Sequence, residues 1–212
     1  MDWSKLRSWK NSKNLAFEEI CCQLARTEPI SSGVKFIKKE APDKGIEGYW
    51  LLKNGDMIGW QAKFFTSQPN SSQWRQVKIS LFDAVENNPK LIEFIVCFAV
   101  DLTHESIKKW NKYKEEWTNE INQKYNHLIK LDYWGTSEIH DRLLKEEHRG
   151  KLFYWFNQDI LSVKRMKENI DDVISKVGAR YTKELNIELE VAQYFEALGR
   201  TGIFHNRLLK KL

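Results

Sequence analysis

The alternation of apolar and polar residues changes period several times along this chain, and each change marks an element. From Leu15 to Arg26, Leu15, Cys22 and Leu24 interleave with Glu18 and Glu19 in a helical pattern. Ser12 or Asn14 stands where an N-cap would. Val34 to Lys39 alternates apolar and basic residues, the period of a half-buried strand. Two apolar, aromatic runs follow, Tyr49 to Leu52 and Met57 to Phe65. Asn54-Gly55 between them predicts a hairpin. Gln73 to Val85 carries Trp74, Val77, Leu81 and Val85 along one helical stripe, stopped by Asn87-Asn88-Pro89. Leu91 to Val100 is almost unbroken apolar sequence, as in a strand covered on both faces. Ser106 to Tyr125 reads as a charged amphipathic helix and His127 to Tyr133 as a further strand. A short helix runs from the Gly135-Thr136-Ser137 turn through Leu144. The order αβββαβαβα predicts an α/β fold, a mixed sheet flanked by helices.

From Gly150 the pattern becomes helical. Phe153-Tyr154-Trp155-Phe156 forms an aromatic knot, and helices are expected from Ile160 to Val177 and from Glu188 to Leu198, with a break at Gly178. The chain therefore divides into an α/β domain, 1–158, and a helical extension, 159–212. The extension is expected to be a linker to further domains of a larger protein.

Composition narrows the partners. A net charge of +5 permits contact with nucleic acid without requiring it. The nine Trp are spread along the chain, which points to core packing and half-exposed rings before stacking on bases. Cys21, Cys22 and Cys97 are too few and wrongly spaced for a disulfide framework or a zinc site, so a reducing cytoplasm is expected. No segment is apolar for long enough to span a bilayer, and no membrane partner is expected.

The chemistry lies around the hairpin. Gly45-Ile46-Glu47-Gly48-Tyr49-Trp50 leads into its first strand, and Trp60-Gln61-Ala62-Lys63 closes the second. Pairing brings Glu47 near Gln61 and Lys63, which share a strand face because they are two residues apart. An acid, an amide oxygen and an ammonium there can hold a divalent cation and offset charge on a phosphate. Phe17-Glu18 on the first helix belongs to the same string of words.

Glu47, Gln61 and Lys63 resemble the PD-(D/E)xK nuclease signature in its Mrr-like form, (D/E)…QxK. The longer string resembles the nuclease domain at the N-terminus of bacterial antiviral STAND NTPases of the AVAST type. That resemblance implies a restriction-endonuclease-like αβββαβ core and a magnesium-dependent endonuclease, with manganese as the alternative ion. It implies Glu47, Gln61, the carbonyl of Ala62 and Asp43 as metal ligands. Lys63 would orient the attacking water, Glu18 would complete the site from the first helix, and Gln76 would face the substrate. Related sequences carry a glycine-rich run before the acid; here it reads Ala41-Pro42-Asp43-Lys44. The implied substrate is double-stranded DNA, gripped by its backbone with low sequence preference. A lone copy should be weak, because Gln61 leaves the metal short of charge. Clustering in a homo-oligomer, a tetramer in the full-length protein, would raise activity. Replacing Glu47 or Lys63 is expected to abolish cleavage with little change in stability.

Two rivals remain, a stand-alone Mrr-like modification-dependent restriction enzyme and a nuclease fold that only binds or oligomerises. Other chemistry is weaker. The five His show no metal spacing, and His140-Asp141 and His148 fall in a charged stretch expected to be exposed. Glu19, about 100° around the helix from Glu18, is expected to face solvent. Lys108, Lys109, Lys112 and Lys114 form a solvated helix face that could also track phosphates.

Overall fold

A computed structural model of the chain describes residues 1–40 and 44–157, with Lys167, Ile170 and Asp171 besides. Asp43 and, apart from those three residues, the helices expected from Ile160 onward fall outside the described residues. The chain separates into two units, Met1–Asp159 and Ile160–Leu212, and the first carries the sheet.

Its elements run α1 (Lys13–Ala25), β1 (Gly33–Lys38), β2 (Gly48–Leu52), β3 (Met57–Lys63), α2 (Ser71–Asn87), β4 (Leu91–Phe98), α3 (His104–Tyr125), β5 (Lys130–Trp134), α4 (Thr136–Leu143) and α5 (Arg149–Phe156). Ser12 caps α1 by accepting the Leu15 N–H at 3.3 Å, and Asn70 with Gln73 forms a capping box on α2. The five strands lie in sequence order. β1, β2 and β3 are antiparallel, whereas β4 and β5 each join parallel to the strand before. Parallel neighbours need a crossover, which α2 and α3 supply.

Each face of the sheet buries its own core. On the α2–α3 side, Val77, Leu81, Trp110 and Ile121 close over Phe94, Val96, Phe98 and Leu131. On the α1 side, Trp60 is 1 % exposed, with its ring 6.2 Å from Phe36 and 5.8 Å from Trp134. β4 lies between β3 and β5, and its residues from Phe94 to Phe98 are buried, as the unbroken apolar run predicts. The N-terminal segment is fastened by Trp3, whose ring meets Phe17 at 5.0 Å and Phe156 at 5.7 Å. Seven of the nine Trp are buried; Trp9 and Trp50 keep exposed area.

Some boundaries differ from the sequence reading. Asn54-Gly55 sits within a longer loop, closed by the Leu52 N–H on the Asp56 carbonyl at 2.8 Å, with Gly55 at φ +86°. β3 stops at Lys63 because the Phe65 N–H turns back onto the Lys63 carbonyl at 2.6 Å. β5 starts at Lys130, and His127 before it donates from Nε2 to the Leu91 carbonyl at 2.5 Å. His148 is the larger correction, for it is 1 % exposed. Its Nδ1 lies 2.6 Å from the Arg142 carbonyl and its Nε2 2.8 Å from the Thr27 hydroxyl, so it pins the start of α5 to the end of α1. Among the described residues no helix is long and apolar enough to cross a membrane.

Candidate active site

The sheet opens where β2 begins. Gly48 pairs with Trp60, and β3 runs on to Lys63 without a β2 partner beyond that point. The Ala62 N–H on this open edge therefore needs another acceptor. Glu47, the residue just before β2, supplies it: Oε2 accepts the Ala62 N–H at 2.6 Å. Its other oxygen, Oε1, accepts a short hydrogen bond from Gln61 Nε2. The backbone holds Glu47 from both sides, its N–H donating to the Trp60 carbonyl at 2.9 Å and its carbonyl accepting the Lys39 N–H at 2.7 Å. Glu47 is 5 % exposed and Gln61 3 %.

The approach to Glu47 is set by its predecessors. Gly45 has φ +85°, and a Cβ there would come within 2.1 Å of the Ser80 carbonyl and 2.6 Å of the Ala84 nitrogen. Only glycine lets the chain lie this close to α2 with that dihedral angle. Ile46 is fully buried in the α2–α3 core, so the acid follows from an anchored residue.

Gln61 shows how a cation fits. Its Nε2 touches two acceptors, Glu47 Oε1 and the Ala62 carbonyl at 3.3 Å. Its Oε1 is buried with no hydrogen-bond partner among the described residues. Turning the amide over would bring Oε1 to the same place, and three oxygens would then converge from Glu47, Gln61 and Ala62. An oxygen-only set suits magnesium or manganese. With one formal charge it is a weak set. Among the described residues no group of three or more His, Cys, Asp or Glu could hold a metal. Lys63 is half-buried on the same strand face as Gln61.

Glu18 sits half-buried on α1 and pairs with Lys38 Nζ at 3.7 Å. It lies one turn before Cys22, whose thiol is pushed up first by burial and then by the carboxylates of Glu47 and Glu18. Both acids thus raise the pKa of the same thiol, Glu18 from α1 and Glu47 from the residue before β2. Gly48 leaves room for the neighbouring strand, since a Cβ there would stand 2.7 Å from the Phe36 ring, with Cys22 Sγ at 3.4 Å. Gln76 is exposed on α2, one turn before Ser80 against which Gly45 lies.

Lys38 is the residue the sequence reading missed. It pairs across the sheet with Gly48, beside Glu47, and contacts both Glu18 and Glu19. Burial works against its charge, but the bond and field of Glu19, then Cys22 and Glu18, outweigh that and raise its pKa. Only its place at the end of an alternating strand could have signalled it. Glu19 also departs from expectation, because it does not face solvent. Its side chain is 21 % exposed, slightly less than the 25 % of Glu18. It takes Lys38 on Oε2 and the Gln23 amide on Oε1 at 3.0 Å. Those bonds overcome the opposing effect of burial and hold its pKa below the ordinary 4.5.

In comparisons with known proteins, no family model matches the chain and no curated protein matches it.

Proposed function

We propose that residues 1–158 are a magnesium-dependent DNA endonuclease domain with a restriction-endonuclease-like core. The observation that carries the reading is the convergence of Glu47, the Gln61 amide and the Ala62 carbonyl at the open edge of β3. The order α1-β1-β2-β3-α2-β4, with β4 parallel to β3, supports the αβββαβ assignment. Glu47, Gln61 Oε1 and the Ala62 carbonyl would hold the ion, with Asp43 as the further acid the resemblance implies. Bound magnesium supplies a water of lowered pKa and neutralises phosphate charge. Lys63 holds the attacking water and offsets charge on the phosphate oxygens. Lys38 keeps Glu18 and Glu19 from adding repulsion toward a DNA strand.

The setting we infer is the effector end of an antiphage STAND NTPase, in which clustering raises the local concentration of weak sites. Supercoiled plasmid incubated with the chain, alone and fused to a tetramerising coil, tests this. Nicking in magnesium or manganese, absent in EDTA and faster for the fusion at equal site concentration, is expected.

One observation favours the rival of a fold that only binds. The Glu47 carboxylate is already satisfied by two N–H groups, as a purely structural acid would be. Full activity loss in a well-folded Glu47→Gln variant separates the two.

A further inference from the structure

A cavity of about 300 Å³ lies against α1. Trp9, Glu19, Gln23, Lys151, Tyr154 and Trp155 line it. Three aromatic rings meet there. Trp155 is buried, with Trp9 edge-on at 6.1 Å and Tyr154 edge-on at 4.8 Å. Trp9 and Tyr154 nevertheless remain 39 % and 40 % exposed, so their rings are open to a ligand.

The polar wall is pre-arranged. Trp155 Nε1 donates to Gln23 Oε1 at 3.0 Å, and Gln23 Nε2 donates to Glu19 Oε1 at 3.0 Å. Those bonds leave one N–H and one lone pair of the amide for a ligand. Glu19 is paired with Lys38, which it shares with Glu18. The cavity rim is positive. Lys151 lines it, and the Arg7 guanidinium lies 4.7 Å from the Tyr154 ring centre.

We propose that this cavity binds an unpaired nucleobase of the DNA, stacked on Trp9 and read at its edge by Gln23, with the adjoining phosphate at Arg7 and Lys151. Aromatic cages also take methylated ammonium groups, but Lys151 and Arg7 at this rim would repel one. A planar base with a trailing phosphate matches both the open rings and the positive rim. Glu19 and Glu18 share Lys38, so the same α1 turn borders this cavity and the Glu47 site.

The inference rests on DNA being the substrate, and binding without cleavage tests it. The 212-residue chain is mixed, in EDTA, with a labelled duplex carrying one unpaired 2-aminopurine and with its fully paired counterpart. The unpaired duplex should bind about tenfold more tightly, with quenched 2-aminopurine emission, since stacking on an aromatic side chain is of that size. Trp9→Ala and Tyr154→Ala should erase the advantage and leave affinity for the paired duplex as it was. Trp9→Phe should keep the advantage, which separates stacking from folding. Equal binding of the two duplexes by the unsubstituted chain overturns the proposal and leaves the nuclease reading standing. So does an advantage that survives Trp9→Ala, or displacement of the 2-aminopurine strand by a trimethyllysine peptide. If neither duplex binds, the DNA reading and this inference fall together.

Discussion

Glu47 Oε2 accepts the Ala62 N–H at 2.6 Å, so the acid assigned the chemistry also closes an unpaired edge of the sheet. From the sequence, removing Glu47 is expected to change stability little; the two bonds it accepts predict a larger loss. Glu47→Ala removes the acceptor of the half-buried Ala62 N–H and of the buried Gln61 amide, at a cost of about 1–3 kcal/mol. Glu47→Gln keeps an acceptor oxygen and should cost less than about 1 kcal/mol. Urea denaturation of both variants checks this order; equal stabilities would contradict it.

Gly45→Ala should destabilise the chain by about 3 kcal/mol, combining a left-handed backbone with overpacking. The new Cβ would meet the backbone of α2 at Ser80 and Ala84, which cannot swing away as a side-chain tip can. A thermal melt within the error of the parent would show that the loop relaxes freely.

Lys38 and Glu19 fix a pH dependence. The Glu19 pKa is lowered on folding, so its contribution is present above 4.5 and is lost as pH falls through the folded value. The Lys38 pKa is raised, so its contribution is present below 10.5 and is lost above it. Lys38→Met leaves Glu19 half-buried without its cation. The variant should be less stable than the parent at pH 6, and the difference should shrink between pH 5 and 3 as Glu19 takes up a proton, by about the arithmetic of linkage. Unfolding curves across that range measure it; a constant difference would rule the pair out.

All three cysteines should be unreactive in the native state. Cys21, Cys22 and Cys97 are buried free thiols, and burial first, then neighbouring groups, pushes the first two upward. An aromatic disulfide reagent at pH 8 should detect none of them until denaturant is added. Rapid native labelling of Cys22 would mean the gap between α1 and β2 opens to solvent.

Much of this arrangement is legible from periodicity. The stripe of Trp74, Val77, Leu81 and Val85 does face the sheet as α2, and the apolar run at β4 does lie between two strands. Glu47, Gln61 and Ala62 meet as the hairpin geometry predicts, because antiparallel pairing fixes which residues stand opposite. What periodicity cannot give is the cover laid over an element from far along the chain. Glu19 is turned away from Glu18 as helical geometry requires, yet Trp155 and Lys38 arrive from α5 and β1 to enclose it. His148 sits among charged neighbours in the sequence, and only the meeting of Thr27 with Arg142 buries it. The Thr27–His148 and Gln23–Trp155 contacts span more than a hundred residues of chain, beyond any local pattern.

The most direct test of the Glu47–Ala62 edge as a catalytic centre is the rate of plasmid nicking in magnesium by the parent chain, Glu47→Gln and Lys63→Ala, each first shown to be folded. The account predicts nicking by the parent that EDTA abolishes, and a fall of about a hundredfold or more in each variant. Parent-like cleavage by either variant, or cleavage that persists in EDTA, would contradict it.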